Sequence, residues 1–254
     1  MRNTIQTIAR HTKCLTIAAL AATAMLSAGC ASAGVTGIDQ TGLLQPVHAD
    51  IIYVRAFGAS AAQVRQDSGL AQQVKRMVAG GSPAGATAQA AAEAREQVAG
   101  EIVRELRARG LHAVRSDAPV PAGASALVVD GDFSKIDEGT ARRRLLIGLG
   151  AGKSEVSAAV RITYQPAHGA PVPLQSFVAD ADSGHLPGVA ETAGIGAAAG
   201  HLAMAAGAGA GLHGVSAIGH DAVYADATRL GNTIAAQVVA ASTGEGWLTA
   251  AAAI

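Results

Sequence analysis

The chain has 254 residues, with 19 Lys and Arg balanced by 19 Asp and Glu. Half of its residues are hydrophobic, 15% are charged and only 3% are aromatic. That composition excludes a charge-rich disordered chain and an aromatic platform for stacking bases, and it is enough for one sizeable core.

Residues 1–29 read as a removable leader. Arg2, Arg10, His11 and Lys13 make a basic start, and Leu15 to Leu26 is an apolar run too short to cross a bilayer comfortably. Removing Arg2, Arg10 and Lys13 leaves sixteen bases against nineteen acids, a net charge of −3, so no nucleic-acid partner is expected. The leader ends in Leu26-Ser27-Ala28-Gly29-Cys30, which looks like the lipobox cut just before its cysteine. Cleavage between Gly29 and Cys30 would make Cys30 the lipidated N-terminus. Ordinary cleavage after Ala31-Ser32-Ala33, giving a soluble periplasmic protein, is the alternative.

The cysteines fit the lipid anchor. Cys14 leaves with the leader, so Cys30 has no partner for an internal disulfide. A buried acyl methylene contributes about 0.8 kcal/mol, and two or more chains hold a protein stably at a membrane. By resemblance to bacterial lipoproteins, Cys30 would carry three chains, palmitate among them. Ala31, in place of an acidic retention residue, implies the outer membrane.

Residues 30–49 are rich in Gly, Ser, Thr and Gln and read as a flexible tether. The folded domain is expected over 50–248, with 249–254 as a tail. Its first element, Ile51 to Phe57, is an apolar, β-branched and aromatic run that predicts a buried strand. A polar connection from Gly58 to about Gly85 follows, with a short helix near Leu70 to Val78. From Ala86 to Arg109 an amphipathic helix places Val98, Ile102 and Leu106 on one stripe, with Glu101, Arg104 and Glu105 outside it. Gly110 stops it.

Strands come next. Leu127, Val129, Gly131 and Phe133 alternate with Val128, Asp130, Asp132 and Ser134, and Val156 to Tyr164 gives the clearest period-two pattern of the chain. Leu174 to Val178 makes a further strand. Asp137-Glu138-Gly139, His168-Gly169 and Asp182-Ser183-Gly184 are turn chemistry. Residues 194–219 carry no formal charge and contain eight glycines and nine alanines. Magnitudes oppose a solitary membrane span there, since each glycine costs a helix up to ~1 kcal/mol relative to alanine. A packed helical hairpin turning near Gly207 to Gly211 is expected. A last helix, capped by Asp221, aligns Val223, Ala227, Leu230, Ile234 and Val238. The order predicts an α+β domain with a largely antiparallel sheet packed by amphipathic helices, and a Gly/Ala-rich helical segment near the C-terminus.

These segments resemble a bacterial lipoprotein family known as DUF4410, a domain of unknown function, from about Ile51 to Trp247. The resemblance is carried by Ile52-Tyr53-Val54 with Phe57, Glu105-Leu106 through Gly110-Leu111, Gly131-Asp132-Phe133 and Asp137-Glu138-Gly139. It continues through Arg143-Arg144, Ile147-Gly148, Gly150 to Ser154, Ser183-Gly184 with Pro187-Gly188, and Gly246-Trp247. The resemblance implies a location rather than an active site.

Five motifs invite chemistry. Gly148 to Ser154 looks like a phosphate-binding loop, but Ile147 stands where a Walker A glycine belongs and a strand follows instead of a helix. No nucleotide is expected. Arg142-Arg143-Arg144 could meet lipid phosphate or lipopolysaccharide, but a short basic run is more often a solvated strand end. His201, His213 and His220 lack the spacing of a metal site, so neither metal nor cofactor is expected. Asp182-Ser183-Gly184-His185 holds the residue types of a hydrolytic triad without a nucleophile elbow, and Asp130 with Asp132 occupies a polar strand face.

The sequence therefore predicts an outer-membrane lipoprotein facing the periplasm, attached through Cys30, with no catalytic residues and a binding or scaffolding role in the cell envelope. Its partner would be an envelope protein or a second copy. The competing reading is a self-associating glycine-zipper protein that inserts in the membrane, based on Gly196-x-x-x-Gly200 and Gly207-x-x-x-Gly211.

Overall fold

The computed structural model describes residues 31–41, 47–65, 82–140, 143, 151–184 and 212–248. The leader, Cys30, the helix expected near 70–78, Arg142 and Arg144, most of the Gly/Ala-rich segment and the tail lie outside these residues.

Among the described residues seven strands form one open sheet: β1 (Ser32–Gln40), β2 (Ile51–Val54), β3 (Val64–Arg65), β4 (Ala113–Arg115), β5 (Ala126–Asp137), β6 (Glu155–Gln165) and β7 (Val172–Asp182). Their order is β1-β7-β6-β5-β2-β4, with β3 following β2 along the edge of β5. The pairings among β1, β7, β6 and β5 are antiparallel, and β2 pairs in parallel with both β4 and β5. The sheet is thus mixed rather than largely antiparallel. The reason is the crossover: α1 (Pro83–Ala108) carries the chain from one end of the sheet back to the other, so β4 enters beside β2 in the same direction.

The start and end of α1 follow from local chemistry. Ser82 is its N-cap and accepts from the Gly85 N–H at 3.0 Å, with Pro83 opening the first turn. At the other end Gly110 takes φ 78°, the Gly110 N–H donates to the Arg107 carbonyl, and the Leu111 N–H donates to the Leu106 carbonyl.

α1 and the second helix, α2 (Leu212–Gly244), lie side by side on one face of the sheet. Val98, Ile102 and Leu106 from α1 and Leu230, Ile234 and Val238 from α2 meet Leu127, Val129, Phe133, Val156, Ala158 and Ile162 in one buried core. These are the alternating positions that the strand pattern predicted. Phe57 packs on Phe133 with ring centroids 5.7 Å apart. Gly131 makes room for that stack, since a Cβ there would lie 2.7 Å from the Phe57 ring and 2.5 Å from the Ala159 carbonyl oxygen.

Three expectations need correction. The tether expected over 30–49 contains β1, whose side chains are almost all exposed; its backbone completes the edge of β7, and composition carries no sign of that. Asp221 does not cap the last helix, because α2 already runs from Leu212 and takes in the end of the charge-free stretch. Glu101 is buried, not outside the stripe, because Gly231 of α2 comes close against its stem.

Candidate functional site

Gly29 and Cys30, the predicted cleavage and lipidation residues, lie outside the described residues, but the chain just after them is fixed in the sheet. β1 is paired from its first residue, Ser32 opposite Asp182. Ser32 Oγ donates to Asp182 Oδ2 at 3.0 Å, and Lys153 Nζ donates to the same oxygen at 3.0 Å. The Gly184 N–H donates to Asp182 Oδ1 at 2.7 Å. Partial burial opposes the charge on Asp182, yet the Lys153 ammonium, the Gly184 N–H and the Ser32 hydroxyl outweigh it and hold the carboxyl below its ordinary range. Asp182 in turn raises Lys153 above the usual lysine value.

One residue along, Ser154 turns inward. Its hydroxyl donates to Asp226 Oδ2 at 2.5 Å, and Arg229 pairs with the other oxygen. Burial pushes the Asp226 carboxyl up, with the Ser154 hydroxyl and Arg229 opposing. Sequence reasoning missed this pair. Asp226 lies on the helix face of Val223, Ala227 and Leu230, and a carboxylate on an apolar stripe was the available signal.

The motifs weighed for chemistry are used structurally where they are described. Lys153 and Ser154, the end of the glycine-rich loop, bind Asp182 and Asp226 and lead straight into β6. Ser183 Oγ accepts from the Ser154 N–H at 3.1 Å, and its own N–H donates to the Ser154 carbonyl; His185 lies outside the described residues. Asp130 and Asp132 are bridged by Arg161 from β6 at 3.0 and 3.3 Å. Arg143 is exposed. Among the described residues no group of His, Cys, Asp and Glu could hold a metal ion.

A groove of about 500 Å³ opens between α1, α2 and the end of β5. Ala94, Ile136 and Ala227 give it an apolar lining, and Glu93, Glu96 and Glu138 contribute carboxylates. Glu93 accepts from Gln89 at 2.8 Å and Glu96 from Arg115 at 3.0 Å, so these acids already have structural partners. Such a groove can receive a side chain or small ligand.

Among solved structures the chain is similar to the PelC dodecamer from Paraburkholderia phytofirmans, with 12% identity, a TM-score of 0.33, and coverage of 77% of this chain and 98% of that one. The dodecamer of a single-residue PelC variant from the same organism is similar at 12% identity and a TM-score of 0.30, covering 76% and 95%. No curated protein matches in sequence. A family model matches residues 52–200, and the chain belongs to that family, described as Domain of unknown function (DUF4410).

Proposed function

We propose that the protein is a lipid-anchored outer-membrane lipoprotein that faces the periplasm and acts by binding or scaffolding in the cell envelope. One observation carries this reading: a basic, then apolar leader that ends in Ala28-Gly29-Cys30. Acyl chains on Cys30 would supply membrane affinity, and no helix among the described residues is long and apolar enough to cross a membrane.

A non-enzymatic role is supported by where the candidate reactive groups go. Lys153, Ser154, Asp182 and Ser183 spend their polar atoms on one another and on α2, which ties strand ends to the helix layer. The groove between α1 and α2 is the recess that an envelope partner would use. Membrane insertion as a glycine zipper rests on Gly196 to Gly211 alone, which lie outside the described residues, and no feature of the described fold adds to it.

The test is metabolic labelling with palmitate in a bacterial host. The wild-type chain should be labelled and Cys30→Ala should not. Equal labelling of both, or a native N-terminus downstream of Cys30, would refute the anchor. Sizing of the detergent-solubilised protein separates the two classes, a discrete ring-sized oligomer favouring the glycine zipper.

A further inference from the structure

We infer that the anchor fixes which end of the domain meets the bilayer: the end formed by Ser32, Asp137, Lys153, Glu155 and Asp182 rests on the lipid–water interface. The inference rests on the proposed acylation of Cys30. β1 is bound to β7 from Ser32 onward, and the Ser32 hydroxyl is held by Asp182. Only Ala31 separates Ser32 from Cys30, and two residue steps span at most ~7 Å in any conformation.

A free tether of twenty residues would behave differently. Its root-mean-square reach is about 25 Å, which lets a domain of this size present any face to the membrane. Pairing of β1 removes that slack. The register then decides what lies at the membrane end, because Ser32 is opposite Asp182, Asp182 opposite Glu155, and Glu155 opposite Asp137. From Glu155 the strand β6 runs to Gln165, about 33 Å away at roughly 3.3 Å per residue. His168, exposed in the β6–β7 connection, marks the far end.

Two of the bases at this end have acidic partners, Lys135 with Glu155 at 3.0 Å and Lys153 with Asp182 at 3.0 Å, while Arg65 and Arg143 are exposed. The preference comes from covalent geometry and should survive high salt.

Cysteine labelling tests it directly. Once the leader is cut and Cys30 acylated, an introduced cysteine is the only free thiol. Glu155→Cys, Lys135→Cys and His168→Cys, each labelled with a fluorophore, would be reconstituted in phosphatidylethanolamine/phosphatidylglycerol vesicles containing a headgroup spin-labelled lipid. Quenching should be several-fold stronger at 155 and 135 than at 168, at both low and high salt. A Gly/Ser spacer of twenty residues inserted between Ala31 and Ser32 should abolish the difference. Vesicle-bound protein quenched equally at both ends, or a difference unchanged by the spacer, would overturn the inference and leave the anchor standing. Wild-type protein that fails to float with vesicles would overturn both.

Discussion

Ser154 and Asp226, 72 positions apart, meet in the core with neither exposed, the serine hydroxyl donating to the carboxylate at 2.5 Å. This bond joins the start of β6 to the middle of α2. Ser154→Ala would remove one of the two side-chain partners of a buried carboxylate while leaving the desolvation cost in place. The expected loss is ~1–3 kcal/mol, read as a lowered midpoint in urea denaturation with an unchanged slope. A loss below ~0.5 kcal/mol would mean that Arg229 alone suffices.

The two aspartates predict opposite dependences on pH. Burial raises Asp226 above its ordinary value, so between the unfolded value near ~3.9 and the folded one the native state binds more protons. Stability from this group therefore falls as pH rises through that window, and Asp226→Asn should remove the fall. Asp182 is held down, so its contribution is present above ~3.9 and is lost as pH drops through the folded value. Asp182→Asn should flatten that acid-side loss. Denaturation midpoints from pH 2 to 7 for the two variants separate the effects by sign.

Asp182 also holds the edge strand. With its carboxylate neutralised, the bonds from Ser32 and Lys153 weaken at the start of β1, which keeps its backbone ladder to β7, the packing of Val35 and, at its other end, the Gln40 bond to Glu245. Lys153 is 39% exposed, so its ion pair is screened and the global cost should stay below ~1 kcal/mol. The local effect should be larger. Amide exchange at Ala33 to Val35 should accelerate in Asp182→Asn while exchange in β5 and β6 stays as in the wild type.

How much of the fold was legible in the sequence depends on where side chains go. The later part of β5 and most of β6 alternate because one face meets the helices and the other meets solvent, so their pattern is written in residue types. α1 carries its stripe and its stop for the same reason. β1 leaves no such trace, because its exposed side chains are free to be Gly, Ser, Thr or Gln while only its backbone is specified. The parallel pairing of β2 with β4 and β5 depends on where α1 returns the chain, which no local pattern encodes. At the candidate site, Cys30 is proposed from its leader alone and lies outside the described residues. The Asp182 and Asp226 clusters were not, since each unites residues far apart in sequence and uses a motif that suggested phosphate binding.

The helix pair offers a substitution whose sign depends on its neighbours. Gly231 sits where α2 crosses α1, and a Cβ there would lie 2.8 Å from both Cβ and Cγ of Glu101 and 3.2 Å from the Val98 carbonyl oxygen. Glu101 cannot swing its Cβ away, so the helices must part. Glycine to alanine inside a helix normally gains up to ~1 kcal/mol, whereas overpacking a core costs ~1–3 kcal/mol. Crowding should win, and Gly231→Ala should destabilise the fold by about 1 kcal/mol net. Gly100 is the matched control, because it is exposed on α1 and an added methyl would meet nothing within 4 Å. Gly100→Ala should raise the thermal midpoint and Gly231→Ala should lower it. Stabilisation by both would show that the helices do not approach this closely at Gly231.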